Sequence, residues 1–460
     1  MKALMNPDAI RGMFSHAMSD MYRAEVPQYG ALCSLVSQVN ASLLDADPTL
    51  ARRMREDGQM DRLDVERHGA VRVGKAHELA TMRRLFGVMG MQPVGYYDLS
   101  AAGIPVHATA FRAVDDASLD RNPFRVFTSL LRTELIADEQ LRQEAEKILA
   151  RRQIFTAGCL AMIDRAESQG GLSENEAHDF VRESLETFRW HAEATVDLET
   201  YRQLRAAHPL VADIVCFKGP HINHLTPRTL DIDAAQARMP AMGIRAKKSI
   251  EGPPARAVPI LLRQTSFLAL EEPIRFLGKG GDEGTHTARF GEIEQRGCAL
   301  TRKGRALYDR LLNKATGQSG SGMPIDQSMQ LAFAEFPDDE ATLHREDLAF
   351  FSYEVNLQRA NEAAAPEGAS VGELVEGGWL VLRPLTYEDF LPVSAAGIFR
   401  SNLGESAQPE YQSQGERRRF EAALGTKVLD EIALYQQTSE RSLAEALMSL
   451  SRSFSVQAAT

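Results

Sequence analysis

The sequence has no apolar run near the ~18–20 residues that a membrane span requires. Its start, MKALMNPDAIRGMF, lacks the apolar stretch and small-residue cleavage site of a secretory signal. Cysteine is scarce: Cys33, Cys159, Cys216 and Cys298 lie far apart without a CxxC pair. That spacing argues against a disulfide framework or a cysteine-based zinc site and fits a reducing, cytoplasmic setting. Positive charge is in deficit, with 52 Lys+Arg against 63 Asp+Glu for a net −11. Neither nucleic acid nor a membrane is therefore an expected partner. The fingerprints GxGxxG, GxxxxGK[ST], GxSxG and HExxH are also missing. The glycine-rich GKGGDEG (278–284) has the wrong spacing and reads as a loop between strands. Dinucleotide, kinase, α/β-hydrolase and zincin readings lose support, and chemistry is left to residues scattered along the chain.

What remains is a 460-residue chain of ordinary globular composition, 44% hydrophobic and 25% charged. Residues 1–60 read as an N-terminal helical segment, with Asn6-Pro7 as cap and first helical residue. In 61–136 the order is strand, helix and three strands, the first half of an α+β core. Residues 137–207 form a helical insertion in which Ser173 and Glu176 make a capping-box signature. Residues 208–316 repeat the element order as a second half, with LVADIVCF and HINHLTPRTLDI read as strands. Residues 317–415 hold a GQSGSG linker and additional strands closing the site, and 416–460 are a C-terminal helical segment.

Three strand-like segments carry candidate chemistry. In ERHGAVR, His68 and Arg72 are four apart and share a face, so a metal and an anion could be held side by side; a solvent-facing edge is the plain alternative. In HINH, His221 and His224 face opposite ways on a strand, so at most one enters a common site. In ARFGEIEQR, Glu292, Glu294 and Arg296 share a face, which an ordinary cross-strand ion pair would also explain. His107 and His286 lie in other strand-like segments and read as satisfied core histidines. Two histidines and a carboxylate from three separate strands are the ligand set of a non-haem iron(II) oxygenase, and they also suit zinc.

The segments ERHGAVRVG (66–74), HINHLTPRTLDID (221–233), ARFGEIEQRGCALTRKGRALYD (288–309) and YEDFLPVSAAGIFRSNLG (387–404) carry a resemblance that spans nearly the whole chain. The sequence resembles the bacterial 2-oxoadipate dioxygenase/decarboxylases, or D-2-hydroxyglutarate synthases, of the vicinal-oxygen-chelate superfamily. The resemblance implies a βαβββ core of two related halves forming a half-open barrel with extensive added helices. It implies Fe(II) held by His68, His224 and Glu292, with His221 and Glu294 as the rivals not chosen. It also implies that catalytic Arg72 pairs with a substrate carboxylate, and that Val393, with Ser394 beside it, lies against the substrate. The implied reaction, in lysine catabolism, takes 2-oxoadipate and O2 to D-2-hydroxyglutarate and CO2. The other readings are a zinc- or manganese-dependent hydrolase or lyase on the same scaffold, or a non-catalytic ligand-sensing protein.

Overall fold

Local signals at the N-terminus act as the sequence predicts. Asn6 Oδ1 accepts the Asp8 amide at 2.8 Å, Pro7 is the first helical residue, and the helix runs Pro7–Glu25. Helices Pro27–Ala46 and Pro48–Glu56 follow. The computed structural model describes residues 3–278, 282–319, 323–391 and 414–457. The chain forms two compact units. One comprises residues 1–251, 264–295 and 389–429, and the other 252–263, 296–388 and 430–460. The segment 208–316 thus divides between the two.

The larger unit holds the mixed α+β core. β1 (Arg67–Val73) leads into helix Ala76–Val88, then β2 (Gln92–Asp98), β3 (Val106–Arg112) and β4 (Arg125–Leu131). The predicted strand–helix–strand–strand–strand unit is present, although Leu63 and Val65 end a helix, Gln59–Val65, before β1 starts. β5 (Leu225–Pro227) completes a five-stranded sheet of order β2-β3-β4-β1-β5. β1 and β4 are parallel, and β1 and β5 antiparallel.

The second half repeats this plan with looser pairing. After β5 come helix Ile232–Arg238 and a stretch, 245–251, joined to β6 (Leu262–Ser266) by isolated bridges at Ala246–Phe267 and Glu251–Gln264. β7 (Glu271–Arg275) continues β6, and β8 (Glu283–Thr287) leads into β9 (Glu292–Arg296). β6 pairs with β9 and β7 with β8. Backbone bonds from Phe267 to Gly291 and from Leu270 to Arg289 bridge the interruption. Arg228 pairs in parallel with Glu294, just as β1 pairs with β4. Both halves are thus strand–helix–three strands with first and last strands parallel, and they meet where β1 pairs with β5. The sheets do not close into a barrel.

Helices Glu139–Arg151, Ala157–Gln169, Glu174–Leu185 and Leu198–Ala207 make up the helical insertion, and the Ser173–Glu176 capping box is present. Phe14 packs edge-on against Phe124 and Phe188, and Phe86 lies tilted on Phe111, so the N-terminal helix and the sheet share one apolar core. LVADIVCF, read as a strand, is instead the helix Pro209–Val215. The reason is local: Pro209 occupies the first helical position and the His208 ring accepts the Leu210 amide at 3.1 Å. Of HINHLTPRTLDI only Leu225–Pro227 is a strand.

In the smaller unit, β10 (Phe351–Val355) and β11 (Leu380–Pro384) pair antiparallel. Trp379, Leu374, Ala446 and Leu450 pack together there. Helix Arg302–Ser319 extends into the segment read as linker.

Candidate metal centre

His68 lies on β1, whose two faces are both buried, and Glu292 opens β9. His224 sits one residue before β5. Gly69 permits the close approach between them. A Cβ there would stand 2.7 Å from Ile222 Cδ1 and 3.1 Å from the His224 carbonyl oxygen. With hydrogen in its place, the segment 222–224 lies against β1 and sets the His224 ring edge-on to His68, centroids 5.3 Å apart.

One ligand atom from each of His68, His224 and Glu292 lies within 4.8 Å of the others, and all three side chains are fully buried. His68 Nε2 is 3.0 Å from Glu292 Oε1 and His224 Nε2 is 3.9 Å from it. Thr226 Oγ1 and Gln264 Nε2 donate to that same Oε1 at 3.1 and 2.8 Å. Glu292 Oε2 and both ring nitrogens of His224 have no hydrogen-bond partner among the described residues. Buried polar atoms left unpaired are costly unless something else binds them. Here they converge with His68 in a donor set that a divalent cation satisfies. The fit is chemical as well as spatial, because burial, then the neighbouring His68 and Arg72, hold His224 well below its ordinary pKa. A neutral imidazole is the ligand form.

His68 is under the opposite influence. Burial disfavours its charged form, but Glu294 and Glu292 outweigh it and raise the pKa. The two carboxylates grip opposite ring atoms, since Glu294 Oε2 is 2.9 Å from Nδ1. Glu292 and Glu294 share a strand face, as the alternation requires, yet only Glu292 reaches the cluster with His224. Behind Glu294 lies Arg125, which donates to Glu66 at 2.7 Å, and Arg62 and Arg228 also pair with Glu66. This buried array of alternating charge fixes the back of His68.

Of the other expected residues, Arg72 is buried on β1, where its Nη1 donates to Asp213 Oδ2 at 2.7 Å. His221 leaves the cluster and lies 3.3 Å from Asp213. Arg289 is occupied by Glu25 and Glu272 and stacks on Trp190. Arg296 donates to the Tyr387 carbonyl. Val393 and Ser394 lie outside the described residues. Just before them, Arg112 grips Asp389 through two bonds of 2.7 and 3.0 Å, and Phe390 lies edge-on to His68 at 5.0 Å.

Sequence reasoning passed over Thr226, Gln264, Lys247 and Asp213. Neutral Thr226 and Gln264 gave no signal. Lys247 acts on Glu292 electrostatically, and burial pushes its amine down to about 8. Asp213 did leave a sign, a lone acid inside the apolar run LVADIVC, which needs a partner when buried.

Two imidazoles and one carboxylate, buried together on paired halves of an open sheet, make a metal-compatible enzyme centre that leaves coordination positions for other ligands. A sequence profile of the 2-oxoadipate dioxygenase/decarboxylase family matches residues 14–402. The chain belongs to this family and is an enzyme. It is 58% identical to the 2-oxoadipate dioxygenase/decarboxylase of Escherichia coli K12 over 437 residues, 95% of this chain and 97% of that one. To the protein of the same name from Pseudomonas putida it is 57% identical over 449 residues, 95% of this chain and 96% of that one. The crystal structure of Pseudomonas putida hydroxyglutarate synthase in complex with 2-oxoadipate superposes with a TM-score of 0.91 at 53% identity, covering 98% of this chain and 100% of that chain. No helix among the described residues is long and apolar enough to cross a membrane.

Proposed function

We propose that this protein converts 2-oxoadipate and O2 to D-2-hydroxyglutarate and CO2, with Fe(II) held by His68, His224 and Glu292. The observation that carries the reading is the convergence of unpartnered His224 and Glu292 atoms with His68, in a chain so similar to a protein crystallised with 2-oxoadipate. The atoms balance. The C1–C2 bond breaks and C1 leaves as CO2; C2 becomes a carboxylate and C3 gains a hydroxyl, so both oxygen atoms of O2 are consumed. Bound iron supplies the 2-oxo acid chelation and the O2 activation that no side chain provides.

The protein's own groups bind and orient. Thr226 and Gln264 hold Glu292 Oε1 and thereby aim the carboxylate. Phe390 and Phe290 pack on His68 and His224 and exclude water around the ligands. Arg72 offers a planar fork to the distal carboxylate, which selects against 2-oxo acids that lack one. Val393 and Ser394 complete the substrate contact in this reading.

Anaerobic loading with Fe(II), followed by O2 uptake and CO2 release against a panel of 2-oxo acids, tests the reading. Expected are one CO2 released per O2 consumed, fastest with 2-oxoadipate, and D-2-hydroxyglutarate as product. Iron-replete protein that consumes no O2 with any of these acids would refute it.

A further inference from the structure

We infer that Asp213 is a positioning residue that aims Arg72 and so sets the preference for a dicarboxylate over a monocarboxylate 2-oxo acid. The inference rests on the proposed role of Arg72. Its basis is a second buried cluster, next to the metal centre, that no step above uses. Asp213 comes from helix Pro209–Val215, is 7% exposed, and meets side chains from three other elements. Arg72 Nη1 donates to Oδ2 at 2.7 Å from β1. On Oδ1, His286 Nε2 lies at 2.9 Å from β8 and His221 Nε2 at 3.3 Å from the segment before β5. His286 Nδ1 is in turn 2.9 Å from the Tyr201 hydroxyl.

The division of labour between the two oxygens matters. Oδ1 is held by His286 Nε2 and flanked by His221, whose Nε2 also meets Asn223 Nδ2 at 3.1 Å, and both rings are themselves locked: Trp190 packs edge-on to His221 at 4.7 Å and Phe217 against His286 at 4.7 Å. The carboxylate therefore has a set orientation before Arg72 is considered, and Oδ2 presents one lone-pair direction to the guanidinium. An arginine on a long flexible stem loses affinity for a carboxylate if it must be ordered during binding. Ordering it beforehand from one side leaves the cost out of the binding step. Asp213 stays ionised in this role. Burial opposes the charge, but His221, Arg72 and His286 together hold the carboxyl far below the usual carboxylate range. The reaction needs no proton from this cluster, so orientation is the role its geometry leaves.

The test uses Fe(II)-loaded enzyme under anaerobic conditions, with 2-oxoadipate and 2-oxohexanoate as paired probes, followed by steady-state kinetics in air. Asp213→Asn should weaken 2-oxoadipate binding and raise its KM by roughly tenfold, the scale of one misaligned charged contact. Iron content, kcat and binding of 2-oxohexanoate should stay within about twofold of the parent. In an Arg72→Ala background, which is read by anaerobic binding, the same change should add nothing to the loss of 2-oxoadipate affinity. His286→Gln, which leaves the Arg72–Asp213 pair intact, should move KM in the same direction by a smaller factor, and it serves if Asp213→Asn does not fold. Equal losses for the two acids, a full further loss in the double variant, or an unmoved KM in both single variants would overturn the positioning role. If Arg72→Ala itself keeps the parent's preference for the diacid, the Arg72 reading falls, and the inference falls with it.

Discussion

Glu294→Gln separates the metal ligand from the group that stands behind it. Glu292 and Glu294 both touch His68, at Nε2 and Nδ1, but only Glu292 lies in the cluster with His224. The 2.9 Å contact to Nδ1 is an ion pair between two side chains with no exposure, and a charge-assisted contact of this kind contributes at most about 1.5–3 kcal/mol net. Glutamine keeps the shape and an acceptor oxygen but loses the charge, and a neutral bond is roughly half as strong. The expected loss is therefore about 0.8–1.5 kcal/mol, or roughly 4- to 13-fold in metal affinity, at the lower end of what is known for partners behind metal-binding histidines. Glu292→Gln removes a ligand outright and should cost more than about 100-fold.

The assay is an equilibrium competition against a metal-binding dye, with Co(II) as an air-stable probe whose visible spectrum reports coordination. Glu294→Gln should bind with the weaker constant and keep the parent's spectral shape apart from a small shift. Glu292→Gln should lose the spectrum. If Glu294→Gln abolishes binding while Glu292→Gln binds normally, the two carboxylates have been assigned the wrong way round. Unchanged affinity in Glu294→Gln would show that the contact to Nδ1 does nothing for the metal.

His224→Ala should lose stoichiometric iron and O2 uptake while remaining folded, as checked by metal content, oxygen electrode and circular dichroism; normal uptake would sink its role as a ligand. Arg72→Ala should keep iron but lose turnover with 2-oxoadipate, and the iron-to-turnover comparison distinguishes it from the ligand variants. His107 gives a pH test away from the centre. Burial and the nearby Arg132 hold its pKa down to about 4, and its Nδ1 has no hydrogen-bond partner among the described residues. Unfolding frees the ring to take up a proton, so stability should fall as pH drops from about 6.5 to about 4, by up to roughly 3 kcal/mol. His107→Phe, placed against Phe420 and Tyr96, should flatten urea-unfolding stability across that window; an equally steep slope would contradict the assignment.

The legible parts of the chain were those written in local periodicity and caps. The first βαβββ half could be read strand by strand because each strand is seven residues long, bounded by turns, and paired within one sheet. In the second half the element order and the pairing of PILLRQTSFLALEEPIRF with THTARFGEIEQRGCALT could be read, and β6–β9 and β7–β8 do pair, but the detail could not. Its strands are five residues or shorter where those of the first half have seven, and one stretch is held by isolated bridges. Such pairing depends on register with distant segments, which alternation alone does not encode. His221 and His224 illustrate the same limit. Alternation placed them on opposite faces of a strand, but neither lies in one, and what each ring meets was decided by Gly69 opening a path to β1 and by helix Pro209–Val215 bringing Asp213 to His221. Asp213 was hidden by a misread element. LVADIVC is apolar enough to pass for a buried strand, and only the proline at its head marks it as helix. That helix connects the acidic composition to the site. In a chain of net charge −11, the arginines near the centre are each aimed by a carboxylate: Arg72 by Asp213, Arg125 by Glu66 and Arg112 by Asp389. Part of the surplus acid is thus structural, pairing with buried arginines around the His68–His224–Glu292 cluster.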